Sequence, residues 1–92
     1  MSVSSSELIE TINRIFVEDF ELDATSVVPD AKLRADLDLD SLDAVDLIVA
    51  IERAFGIRLD DKKVMELITV GDVHTHTAQE YGQFMASAGA TA

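Results

Sequence analysis

Cysteine is absent from the chain, which removes disulfides and thiolate metal sites and leaves thiols silent about compartment. Proline occurs once and glycine four times, and so few helix breakers beside 48% hydrophobic content argue for a helix-rich globular domain, not a disordered one. Basic residues are scarce, 7 against 18 acids, for a formal charge of −11. Such a chain repels nucleic acid and anionic lipid and meets basic protein surfaces fast, an advantage that salt removes. No apolar run reaches membrane-spanning length, and Met1-Ser2-Val3-Ser4 opens nothing like a secretory leader, so a soluble cytoplasmic protein without membrane insertion is expected. The 92 residues hold room for one core, and no repeat or second domain interrupts them.

Four helical segments follow in order. Ser4-Ser5-Ser6-Glu7 fits a capping box in which Ser4 and Glu7 serve each other's amide groups. Leu8, Ile9, Ile12, Ile15 and Phe16 then recur at helical spacing, ending near Asp19 or Phe20. The pattern lapses from Glu21 to Leu39 around Pro29, a long connection for a small domain. Its Leu22, Val27, Val28, Leu33 and Leu37 are expected to pin it to the core. Asp40 caps a second helix closed after Phe55 by Gly56, and Asp60 caps a short third helix containing Val64 and Leu67. Thr69-Val70-Gly71-Asp72 opens a fourth, with Val70, Val73, Thr77, Tyr81 and Phe84 on one face. Residues 1–86 are read as the domain and 87–92, rich in small side chains, as a flexible tail.

The second helix carries more apolar surface than one core contact needs. With Ser41 at zero, Ala44, Leu47, Ile48, Ile51 and Phe55 fall between about 240° and 340° on a helical wheel. Leu42, Val45 and Val49 form a second stripe between about 40° and 100°. Burial of both would make this a central helix. Exposure of the second, beside Asp43, Asp46 and Glu52, would make it a docking surface for basic partners. The clustering of Asp36, Asp38, Asp40, Asp43 and Asp46 favours recognition. The length and sustained period exclude a strand across Leu47–Ile51.

Ser41 does not read as a catalytic nucleophile. The G-x-S-x-G elbow is missing, both histidines lie on another helix, and the surrounding carboxylates would oppose an oxyanion. Asp36-x-Asp38-x-Asp40 begins like a calcium loop, but Ser41 and Leu47 occupy the positions that need glycine and glutamate. His74 and His76, two apart on a helix, point about 200° apart and cannot share an ion. His74 is expected at the core edge and His76 on the surface. No metal site and no catalytic residue are assigned.

Asp40-Ser41-Leu42-Asp43-Ala44-Val45-Asp46-Leu47 resembles the D-S-L-(D/E)-x-V-E-L signature of acyl carrier proteins. The resemblance continues through Ala50–Ile57 and again at Ile68-Thr69-Val70-Gly71-Asp72-Val73, covering roughly residues 5 to 85. It implies an all-α four-helix bundle of acyl-carrier type, with a long first loop and a short third helix. It also implies a 4'-phosphopantetheine arm, derived from coenzyme A, joined to Ser41 by a phosphodiester. The arm's thiol would hold acyl intermediates as thioesters in fatty-acid, specialised-lipid or polyketide biosynthesis. Asp40 would contact the phosphopantetheinyl transferase. Leu42, Asp43, Val45, Asp46, Val49 and Glu52 would form the helix read by ketosynthase, acyl-transferring and related enzymes. The protein itself would be a monomeric carrier, not an enzyme. Asp38 stands where many members have glycine, which bears on the turn before Ser41 and leaves the serine in place. Lys62 and Lys63 stand where the third helix is usually acidic, and Asp40, in place of histidine, favours acyl over aminoacyl cargo. The competing reading is an unmodified acidic adaptor that only binds proteins.

Overall fold

The computed structural model describes residues 4–91, with side chains to residue 83. Four α-helices account for most of it, and no strand lies among the described residues: α1 Ser5–Asp19, α2 Ser41–Phe55, α3 Asp61–Met65 and α4 Val70–Thr91. The side chain expected at Phe84 falls outside the described residues, as do those of the expected tail.

Each helix begins where a side chain supplies an acceptor for an orphan amide. For α1 this is Ser4 Oγ, which accepts the Glu7 N–H at 3.2 Å. The expected reciprocity is altered: Glu7 Oε1 accepts the Ser4 hydroxyl at 3.0 Å in place of the Ser4 backbone amide. Asp60 Oδ1 accepts the Lys62 N–H at the start of α3. At the start of α4, Thr69 Oγ1 takes the Asp72 N–H while Asp72 Oδ2 takes those of Ile68 and Thr69. α2 stops at Gly56, left-handed at φ 66°, whose N–H reaches Glu52 O at 2.8 Å.

The core lies where α1, α2 and α4 face one another. Ile12 and Phe16 of α1, Leu47 and Ile51 of α2, and Val70 and Val73 of α4 are almost wholly enclosed. Phe55 and Tyr81 close one end, edge to face at 5.7 Å. Val64 is the buried residue of α3; Leu67 packs beyond that helix, and Met65 and Ile68 stay exposed.

The connection from Glu21 to Leu39 is ordered by contacts that lack period. Asp23 caps a 3-10 turn over Ala24–Ser26, and Val27, Ala31 and Leu37 are buried. Leu22 and Leu33 pack partly against the core, whereas Val28 is 44% exposed and contributes no anchor. An antiparallel bridge between Lys32 and Thr69 clasps this connection to the entry of α4. Val70 N–H donates to Ala31 O at 2.9 Å and Leu33 N–H to Ile68 O at 2.8 Å. Alongside, Gly71 N–H meets Pro29 O at 2.9 Å, and a Cβ on Gly71 would stand 3.1 Å from that oxygen.

The two histidines fare differently. His74 is buried, and its Nε2 meets Asn13 Oδ1 at 2.8 Å, joining α4 to α1; burial pushes its pKa down from 6.5. His76 is not the surface residue expected. Its side chain is only 11% exposed, and its Nε2 is buried without a hydrogen bond, 4.0 Å from Glu80 Oε1. It lies about 60° from Val73 on the wheel of α4, so the covered arc reaches it from the side opposite His74.

Candidate functional site

The chain approaches Ser41 through a turn built on Asp38. Leu37, Asp38 and Leu39 donate their N–H groups to Lys32, Arg34 and Leu33 carbonyls at 3.0, 3.1 and 2.9 Å, coiling the segment once. Asp38 adopts φ 56°. The left-handed geometry that suits glycine is therefore kept, because an aspartate tolerates it better than most residues with a Cβ.

Asp40 and Asp43 then close the start of α2 from both sides. Asp40 Oδ1 accepts the Asp43 N–H at 3.0 Å, and Asp43 Oδ2 accepts the Asp40 N–H at 3.1 Å. The Asp43 amide is the main cause holding the Asp40 carboxyl below its ordinary 3.8; desolvation opposes it, and the Leu42 amide and, least, the positive charge of Arg34 add to it. Ser41 is the first residue of α2, exposed, and its hydroxyl makes no hydrogen bond to the described residues. Beside it opens a cleft of about 50 Å³ between α2 and the α3 region, lined by Arg34, Asp40, Leu47, Val64 and Met65 among others and by no histidine. No histidine among the described residues stands by the hydroxyl to take its proton, and the flanking Asp40 and Asp43 carboxylates are engaged in the cap.

The second stripe of α2 is exposed, settling the choice left open by the sequence. Leu42 is 77%, Val45 45% and Val49 41% exposed, while Leu47, Ile48, Ile51 and Phe55 are buried and Ala44 is half-buried. Asp46 is open to solvent. Asp43 is committed to the cap, and Glu52 is half-buried, its Oε2 accepting the Leu59 N–H at 2.9 Å. The acidic border also reaches α1: Asp19, Glu21, Asp38, Asp43 and Asp46 surround an open hollow of about 530 Å³. Sequence reasoning missed Arg34 and Leu33 at the mouth of the Ser41 cleft and Ile68 beyond it. They stand in non-periodic segments, which the Lys32–Thr69 bridge and the hydrogen bonds beside it bring together.

A helical domain that displays a hydroxyl it cannot activate, beside an acid-edged apolar strip, has the make-up of a carrier that others load and unload. The family model described as "Phosphopantetheine attachment site" matches residues 2–76. An acyl carrier protein of Thermosynechococcus vestitus is 39% identical over 71 residues, 77% of this chain and 88% of that one. One from Helicobacter pylori is 42% identical over 66 residues, 72% and 85% of the two chains, and "Acyl carrier protein 2" of Ralstonia nicotianae is 41% identical over 71 residues, 77% and 88%. The chain belongs to the acyl carrier protein family. Its role is that of a carrier in biosynthesis, served by a 4'-phosphopantetheine group, and not that of an enzyme.

Proposed function

We propose that Ser41 is the attachment residue, with acyl intermediates of fatty-acid, specialised-lipid or polyketide biosynthesis carried as thioesters on the arm it bears. The observation that carries this reading is an exposed, unengaged hydroxyl on the first residue of a helix. The Ser41 and Leu42 amides have no intrahelical acceptor, which suits a phosphate ester at that end. The residues present therefore fit the group. Ser41 Oγ supplies the bridging oxygen and gives up its proton, the transferase supplies the base, and the nucleotide half of coenzyme A leaves. The arm, once attached, contributes a terminal thiol that forms the thioester.

Asp40 is the contact offered to the phosphopantetheinyl transferase. Leu42, Val45 and Val49 form the apolar tread gripped by partner enzymes, and Asp46 is the freest of its acidic flanks. Asp43 and Glu52 serve the same surface while bonded to the backbone. The protein acts as a monomer in the cytoplasm, through partners with basic docking patches. Incubation with coenzyme A and a broad-specificity transferase should add one phosphopantetheine to the intact mass, and Ser41→Ala should abolish it. Absence of the adduct, or its survival in that variant, overturns the assignment. An adaptor that only binds proteins would remain unmodified when recovered from its own cells.

A further inference from the structure

A phosphodiester on Ser41 adds a negative charge where two already stand. Asp40 and Asp43 line the cleft beside Ser41, and Asp38 and Asp46 join Asp43 around the hollow on the other side of the α2 entry. The helix start has little left to answer a third charge. Asp40 Oδ1 already accepts the Asp43 N–H, and the Leu42 N–H also favours that carboxylate. Offsetting the repulsion therefore falls to a cationic side chain.

Arg34 is the one cation among the residues lining the Ser41 cleft. Its place is set by the backbone. The Arg34 carbonyl accepts the Asp38 N–H at 3.1 Å, so the left-handed turn that delivers Ser41 to the helix start brings Arg34 with it. The side chain is exposed and forms no ion pair among the described residues. The nearby carboxylates are bonded to the backbone instead: Asp36 Oδ2 accepts the Lys32 N–H at 2.8 Å, and Asp40 and Asp43 accept each other's. The Arg34 charge is nonetheless felt at Asp40, which puts it at the α2 entry. An unpaired guanidinium there suits a phosphate, whose oxygens match its planar fork of donors. Lys32 is set further out, lining the groove of Met65 and Ile68 but not the cleft.

Resting on the assignment of Ser41 as the attachment residue, we propose that Arg34 is the counter-cation of the arm's phosphodiester, donating to its non-bridging oxygens and holding it on the α3 side of the α2 entry. The contact is with the phosphate, so it is the same whatever acyl group the thiol carries.

The test compares the full chain, labelled with nitrogen-15, before and after loading from coenzyme A by the transferase. The Arg34 side-chain Nε–H signal should move on loading and exchange with water about threefold more slowly, while those of Arg53 and Arg58 stay in place. About 0.5 M sodium chloride should undo most of that change. The change in melting temperature on loading should be roughly 2–4 °C less favourable in Arg34→Gln than in the unaltered chain, and Arg34→Lys should recover most of the difference. Lys32→Gln should behave as the unaltered chain does. Should Arg34→Gln resist loading, the Arg34 signal of the unaltered chain decides alone. A signal that loading leaves in place, a change that salt does not reverse, or equal melting changes with and without Arg34 overturn the inference and leave Ser41 as the attachment residue. An unaltered chain that takes up no phosphopantetheine overturns both.

Discussion

Asp38 and Asp40 show how much a single side chain decides before any packing is considered. Asp38 holds φ 56°, a conformation that costs roughly 1–2 kcal/mol for most L-residues and least for glycine, asparagine and aspartate. Asp38→Val should therefore lose about 1–2 kcal/mol in urea unfolding, whereas Asp38→Gly should lose nothing beyond about 0.5 kcal/mol. Asp40 is a titration problem. Its folded pKa lies below the unfolded 3.8, first through the Asp43 amide. The stabilisation it gives is present above 3.8 and is lost as pH falls through the lowered value. A carboxyl-carbon NMR titration should place its midpoint under 3.8, and Asp40→Asn should flatten the acid limb of the stability curve.

At the scale of the helix, α2 keeps a buried stripe apart from an exposed one, and the recognition proposed above falls on the exposed one. Phe55 is buried against Tyr81, so Phe55→Ala should cost about 3–5 kcal/mol. Leu42 is 77% exposed, so Leu42→Ala should stay within about 0.5 kcal/mol while weakening a partner's grip. Equal losses in denaturant melts would contradict the exposure. Asp46→Lys should slow association with a basic partner and flatten its dependence on salt, read by stopped flow. These stripes and both ends of α2 were legible in the sequence, because capping pairs, glycine stops and a 3.6-residue period are local signals. The loop before α2 was legible only as something pinned down. Its bridge to Thr69 depends on a partner more than thirty residues away, and Val28 looks no different from Val27 in a chain without period. His76 misled for a related reason, since its distance from His74 carries no information about its nearness to Val73.

For the molecule as a whole, repulsion outweighs ion pairing. Among the described residues the one ion-pair contact is His76 with Glu80 at 4.0 Å, against a net charge of −11. Salt consequently has self-repulsion to screen and little attraction to lose, so melting temperature should rise between 0.05 and 0.5 M sodium chloride, about the range over which screening becomes short-ranged. A fall would mean that unnoticed ion pairs hold the bundle. His74 adds a second pH dependence: buried, it stabilises fully above 6.5 and loses ground as pH drops from there towards its lowered folded value. His74→Gln should remove that slope. The reciprocal aspartates at the head of α2 have a last consequence for how such a molecule is used. Because Asp40 and Asp43 secure each other, the helix borrows nothing from the serine between them. On the proposal that Ser41 bears the ester, the group can be attached and removed without breaking either of those two hydrogen bonds.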